Sequence, residues 1–440
     1  KRHFKLTDAE AVARAWEMVR ESGLSIVSHG TQPCFRKHPP ALFAPGTAHY
    51  SLLKAADVLG IGRENVILVD VDRSFRMDVR DLETKLHDAV KRGMYPLAVL
   101  AIAGATEEGA VDPVHRIDEF RARIEADTNT SFWLHVDAAW SGYVRSLFVT
   151  GTGEDCDVHS VNQFAARRLD LKRGSYTRTI HLQWGSNEVC QSFAAFSRAE
   201  SITVDPHKMG YVPYPAGVVA FRNDRVRLFL VQEAPYITVT RKADMQTREY
   251  ESPNTVGPFI LEGSKPGAAA AAIWLSHRMI PPSRDGYGEI VRASLLAARE
   301  LYERLVHWEH AAKANRAETH YEFLPVTAAP PDTNIVCFII KIKGNRSLAK
   351  MNELGESVYK HFTIEAELGE QEYSYAQPFF VSRTRFQPPQ YSPHSVAELL
   401  ERAEVDPADY PAEGIFVLRA TVMSPYIVLA AETGHKQDLL

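Results

Sequence analysis

The 440-residue sequence predicts an α/β protein with a mostly parallel central sheet flanked by helices, followed by a smaller C-terminal α+β unit. Three observations carry this. Short apolar runs alternate with amphipathic stretches of helical length from residue 48 onward. A long helical pattern, roughly Tyr287 to Trp308, closes that body. Beyond it, the strand-like runs "NIVCFIIKIK" and "IFVLRATVM" bracket the helical stretch "SLAKMNELGESVYKHF".

Taken in order, Thr7-Asp8-Ala9-Glu10 is a capping box opening a helix with Ala11, Ala15, Met18 and Val19 on one face, ending near Gly23. Residues 30–48, rich in proline and polar groups, read as an irregular connector, so 1–47 form a helix and connector. A large domain follows over 48–315, in which "HYSLLKAADVLG", "DVRDLETKLHDAVKRG" and "VHRIDEFRARIEA" are crossover helices between "NVILVDV", "PLAVLAIAG" and "SFWLHVDAA". Residues 148–195 leave this rhythm as a polar excursion, and "SITVD" and "AGVVAFR" return to the sheet. The small C-terminal domain is 316–440.

Composition excludes several classes. A net charge of -5 without any Lys/Arg block gives no field for nucleic acid. Cys34, Cys156, Cys190 and Cys337 lie too far apart for a disulfide scaffold or CxxC motif, and they read as thiols in a reducing compartment. No metal is expected. The longest apolar run, "GAAAAAIWL", is too short to span a bilayer, and "KRHFK" has no apolar segment behind it, so a soluble cytoplasmic protein is expected.

In a parallel sheet, chemistry gathers at strand carboxyl ends, and "SITVDPHKMGYVPY" places Lys208 just past one. Alone, Lys208 would read as a solvated turn residue. "WLHVDAAWSGY" ends a second strand in Asp137, a carboxylate that is costly there without a cationic partner, or else a helix cap. "AIAGATEEGAVD" delivers Thr106 and Asp112 around two glycines, and "GTAHYS" places His49 before a helix. Pyridoxal phosphate (PLP) asks for this set together: a lysine for its aldehyde, an acid for its pyridine nitrogen, a flat partner for its ring and donors for its phosphate.

These motifs, with "ILEGSKPGAAAAAIW" and "LRATVMSPY", resemble the group II PLP-dependent amino-acid decarboxylases, and among them the tyrosine decarboxylases, from about residue 40 to 428. The resemblance implies fold type I and decarboxylation of an aromatic L-amino acid, L-tyrosine to tyramine, through a Schiff base, a quinonoid and protonation of the α-carbon. It makes Lys208 the Schiff-base lysine, Asp137 the partner of the pyridine nitrogen, and His49 and Ala139 the residues on the two ring faces. Thr106 and Asp112 support the ring side and an Asp-His arrangement, and His207 sits beside the phosphate. Ser264 reaches a neighbouring subunit's phosphate, which implies an obligate homodimer.

Tyr236 matches the loop tyrosine that protonates the α-carbon, Tyr214 is the reserve donor or substrate-orienting group, and Ser424 lies at the substrate pocket. Arg419 reads as structural, pairing across the domain boundary. Relatives carry a Gly/Ser/Thr-rich phosphate turn ahead of this region; none is found here and the chain opens on Lys1, so a fragment is expected. Two other readings remain open: an aldehyde-forming oxidative decarboxylase on the same scaffold, and a non-catalytic decarboxylase-like subunit.

Overall fold

The computed structural model describes residues 8–165, 168–173, 176–181, 187–223, 226, 229, 260–262, 264–314, 320–363 and 380–424. Its strands, in chain order, are β1 (Pro40–Pro45), β2 (Val66–Val69), β3 (Tyr95–Ile102), β4 (Trp133–Asp137), β5 (Arg168–Arg173), β6 (Tyr176–His181), β7 (Ser201–Val204), β8 (Val218–Phe221), β9 (Tyr321–Pro325), β10 (Ile335–Ile342), β11 (Ser382–Phe386) and β12 (Ile415–Thr421).

The central sheet has the order β2-β1-β3-β4-β7-β8. All its pairs are parallel except β7 with β8. Crossover helices explain the parallel pairing: Val79–Lys91, capped by the Asp78 carboxylate on the Arg80 amide, joins β2 to β3, and Val114–Thr128 joins β3 to β4. One sheet face buries Phe43, Val99, Ala101, Leu134 and Val136 in the main core, where the helix Tyr287–Lys313 also packs. Leu42 and Ala98, on the other face, meet Ala56 of the helix Ser51–Val58.

The second sheet is antiparallel, in the order β11-β12-β10-β9, with the helix Leu348–His361 against β10 and β12. The helix Tyr287–Lys313 contacts both β9 and β10, so one rod spans from the main core to the smaller sheet. Arg76 ties the two across their seam through both nitrogens facing the Asp332 carboxylate.

Two sequence readings change. Residues 30–48 are not all connector, because they contain β1, which is buried throughout and lies between β2 and β3. Prolines at both of its ends masked it: Pro40 is its first residue and Pro45 its last, positions where a missing N–H disturbs the ladder least. Within the excursion at 148–195 lie the helix Val158–Ala165, the two-stranded antiparallel sheet β5-β6 and the helix Asn187–Ala194. Thr7, the capping residue read from sequence, lies outside the described residues, and its helix is seen over Asp8–Ser22.

Phe43 is fully buried at the centre of this arrangement, whereas Val58 is 82% exposed. Phe43→Ala is expected to lower unfolding free energy by about 3–5 kcal/mol in urea titrations. Val58→Ala should stay within about 0.5 kcal/mol of the parent protein.

Candidate active site

Parallel pairing brings the carboxyl ends of β1, β3, β4 and β7 to one edge of the sheet. Ile102 lies opposite Asp137, and Asp137 opposite Thr203, so these ends are level. Backbone bonds lace the loops beyond them: the Ala103 amide donates to the Asp137 carbonyl at 2.8 Å, Ala138 to Thr203 at 3.0 Å and Asp205 to Ala139 at 3.2 Å. The chain runs from β1 outward to β2 and then back across to β3, so the topological switch lies between β1 and β3. His49 follows the first of these strands and Thr106 the second.

Lys208 sits in a tight turn after β7, its amide donating to the Asp205 carbonyl at 2.9 Å and its Nζ lying 3.0 Å from Asp205 Oδ2. The neighbouring His207 places Nε2 3.6 Å from the same carboxylate oxygen, Nδ1 beside the Ala216 carbonyl, and its ring against Tyr214 at 3.8 Å between centroids. Tyr214 is otherwise exposed.

Behind the lysine the backbone is tightly packed. A Cβ on Gly210 would stand 2.4 Å from the Tyr143 ring and 2.6 Å from the Pro206 carbonyl, so only glycine fits there. Tyr287 donates to the Gly210 carbonyl at 2.7 Å. The Tyr143 hydroxyl meets His277 Nε2 at 2.8 Å. Burial pushes the Tyr143 phenol up and the His277 imidazolium down, so they meet as neutral groups. Tyr211 takes a left-handed φ of +55° and spends its hydroxyl on the Met423 carbonyl and Ser294 Oγ. That bond ties the lysine turn to the segment that carries Ser424, which is exposed.

Asp137 is half-buried, accepts from the Ala139 amide at 3.1 Å, and has no ion-pair partner among the described residues. Below it on the same strand face, His135 is held through both nitrogens, by Ser201 Oγ at 2.8 Å and Thr203 Oγ1 at 3.1 Å, and burial lowers its pKa. His49 Nδ1 meets Ser51 Oγ at 2.8 Å, and its ring lies on Tyr50. Thr106 is exposed at its strand end.

The other expected residues lie around this edge or outside the described residues. Asp112 is 1% exposed and accepts from the Met77 and Ile102 amides, both at 2.7 Å, so its carboxyl holds backbone, and among the described residues no histidine is hydrogen-bonded to it. Burial pushes it up to about 7. Ser264 is exposed in the coil before the helix Ala268–Met279. Tyr236 lies outside the described residues. Arg419 crosses the seam, Nε donating to the Glu107 carbonyl at 2.9 Å. An open cleft of about 750 Å³ runs along Leu42, Leu100, Trp133 and His135, nearer the strands' amino ends, and none of the expected site residues lines it. Sequence reading passed over Asp205, although its i, i+3 spacing from Lys208 in "DPHK" was a usable signal. It also passed over Tyr143 and Tyr211, whose partners are remote in sequence.

Residues 28–158 match the pyridoxal-dependent decarboxylase conserved domain, and 297–434 match the C-terminal region of tyrosine decarboxylase. L-tyrosine decarboxylase of Enterococcus faecium is 33% identical over 385 residues, covering 87% of this chain and 58% of that protein. Its counterpart in Levilactobacillus brevis is 34% identical over 386 residues, covering 87% and 57%. The chain thus carries a pyridoxal-dependent decarboxylase domain together with a tyrosine decarboxylase C-terminal domain. It spans less than two thirds of the length of these curated relatives. The solved structure of Oryza sativa TDC with PLP and tryptamine shares the decarboxylase fold, with a TM-score of 0.58 at 16% identity over 98% of this chain and 68% of that one.

Tyr211→Phe removes the hydroxyl that donates to the Met423 carbonyl. It is expected to lower unfolding free energy by about 1 kcal/mol in denaturant titrations.

Proposed function

We propose that this decarboxylase removes carbon dioxide from an aromatic L-amino acid, L-tyrosine first among them, and releases the amine. The observation that carries this reading is the convergence of His49, Thr106, Asp137 and Lys208 on one edge of a parallel sheet. The named activity of the two curated relatives supports the choice of substrate.

The residues fit pyridoxal phosphate. A half-buried carboxylate without an ion-pair partner among the described residues, as Asp137 is, suits a protonated pyridine nitrogen. Lys208 would hold the aldehyde carbon, His49 and Ala139 the two ring faces, Thr106 the ring edge, and His207 and Ser264 the phosphate. Asp112 would act from behind, by fixing the backbone of β3 through the Ile102 amide. When bound, the cofactor supplies an electron sink for the pair released as a bond at the substrate α-carbon breaks.

The chain's own groups then supply the rest. Asp205 orients Lys208 Nζ by an ion pair. The α-carbon must gain a proton to give the amine, and a phenol can deliver it. We assign that donor to Tyr236, with Tyr214 as the reserve or substrate-orienting group, the latter steadied by the His207 ring. Ser424, joined to the lysine turn through Tyr211 and Met423, would border the substrate. We further propose a homodimer with Ser264 reaching the partner's phosphate site, and a cytoplasmic location in keeping with four cysteines free of disulfides. No helix among the described residues is long and apolar enough to cross a membrane.

Full-length protein incubated with pyridoxal phosphate and L-tyrosine is expected to release carbon dioxide and tyramine in equal amounts, and Lys208→Ala to release neither. 4-Hydroxyphenylacetaldehyde in place of tyramine would replace this reading with the oxidative one. Absence of both turnover and cofactor absorbance in the parent protein would favour a non-catalytic subunit. Asp137→Ala should cost about 10²–10³-fold in kcat/KM, the scale for losing one preorganised electrostatic partner.

A further inference from the structure

The loop 103–112, which carries Thr106, is gripped by the smaller sheet at several points. Gly109, at φ +77°, leaves no room for a Cβ against Thr333 Oγ1 and Ile335, and its carbonyl accepts from Thr333 at 3.0 Å. The Glu107 carbonyl accepts from Arg419 Nε and from Cys337 Sγ. The Val111 amide donates to Asp332 at 3.0 Å. Between these contacts lies Glu108, 7% exposed, whose Oε2 accepts from the Tyr391 hydroxyl at 2.7 Å and whose Oε1 is buried without a hydrogen-bond partner among the described residues.

We infer that Glu108 is a positioning residue that must be protonated to hold the Thr106 loop against the smaller sheet, so that a rise in pH releases the loop.

The surroundings leave the carboxyl no other stable form. The adjoining cavity, about 20 Å³, has room for about one water and cannot hydrate an anion. Arg76, which borders that cavity, already forms a bidentate pair with Asp332 and reaches Glu188. Arg419 spends its guanidinium on the Glu107 carbonyl, Ser382 and Thr421. The remaining titratable groups around it, Glu107, Asp112, Cys337, Tyr391 and Tyr302, carry no positive charge. Burial, with like charge from Glu107 and Asp112, raises the Glu108 carboxyl from 4.5 to about 8, against a smaller opposing effect of the Tyr391 hydrogen bond.

The sign follows from linkage. An acid whose pKa is raised in the folded state stabilises the closed loop fully below the open-state value of 4.5, and that stabilisation drains away as pH climbs toward about 8. Loop opening should become about tenfold easier per pH unit over most of that window and level off above it. Asp112 titrates in the same direction, so a variant must separate the two.

Only the consequence for turnover rests on the decarboxylase reading; the release of the loop does not. Amide hydrogen exchange over residues 103–112, corrected for intrinsic rates, would be followed from pH 5.5 to 9 in the parent protein, Glu108→Gln and Glu108→Ala without added cofactor, and kcat/KM followed in parallel. The parent should lose protection with the one-proton slope. Glu108→Gln, a neutral isostere that still accepts from Tyr391, should flatten that slope by one proton and carry its activity to higher pH. Glu108→Ala should show fast exchange at every pH, with Glu108→Gln restoring protection at pH 8. A Glu108→Gln exchange profile superimposed on the parent's would overturn the inference and assign the response to Asp112. If the parent does not turn over, the functional reading fails, while the exchange profiles still decide the role of Glu108.

Discussion

Parallel pairing is the constraint on which everything else in this molecule depends. When β1, β3, β4 and β7 run the same way, their carboxyl ends share one edge, and any polar residue just beyond a strand is delivered there. The chain uses that edge four times, with His49, Thr106, Asp137 and Lys208, which are separated by up to 159 residues in sequence (208 − 49). Without the crossover helices that enforce parallel strands, the same motifs would end on opposite edges and could not act on one molecule.

Level strand ends alone do not make a rigid site. The lysine turn is held from behind by Gly210, which lets the Tyr143 ring approach, and by Tyr287, whose hydroxyl caps the Gly210 carbonyl. From the side it is held by Tyr211, which reaches across to Met423 at the end of β12. The Thr106 loop is held in the same manner, by Arg419 of β12 and Asp332 ahead of β10. Both loops therefore take their position from the smaller sheet. A shift of that sheet would move Lys208 and Thr106 together, and this gives the C-terminal unit a direct say in the geometry of the edge.

How much of this the sequence disclosed follows from physical signals. Crossover helices and buried strands leave period and length, so β2, β3, β4, β7, β8, β10 and β12 were legible, as was the long helix from Tyr287. β1 was not, because "PALFAP" is buried on both faces, shows no alternation and is fenced by proline. β9 and β11 escaped as well: "YEFLP" and "SRTRF" are five residues each, show no apolar–polar alternation and are indistinguishable from loop without their partners. In the site, Asp137 and Lys208 stood out because a charge at the end of an apolar strand is costly. Asp112 carried the same signal, and its carboxyl accepts from two backbone amides. A strand-end carboxylate announces that it has partners; it does not say whether they are backbone or cofactor.

That ambiguity also separates two acids of one loop. Asp112 and Glu108 are both fully enclosed, and in each burial outweighs the hydrogen bonds it receives. Asp112 accepts from two amides and is raised to about 7, while Glu108 accepts from one hydroxyl and is raised to about 8. The ordinary values already differ, 3.8 for the aspartate and 4.5 for the glutamate, so the two acids are raised to a similar extent and titrate over overlapping ranges as a coupled pair. Decarboxylation of an amino acid to an amine consumes one proton per turnover. Under the decarboxylase reading proposed above, turnover that makes the surroundings alkaline would act on both acids, Asp112 at the root of the loop and Glu108 at its contact with the smaller sheet. On the proposed reading, the loop under Thr106 is most firmly placed when protons are plentiful, the condition under which the reaction has most of its second substrate.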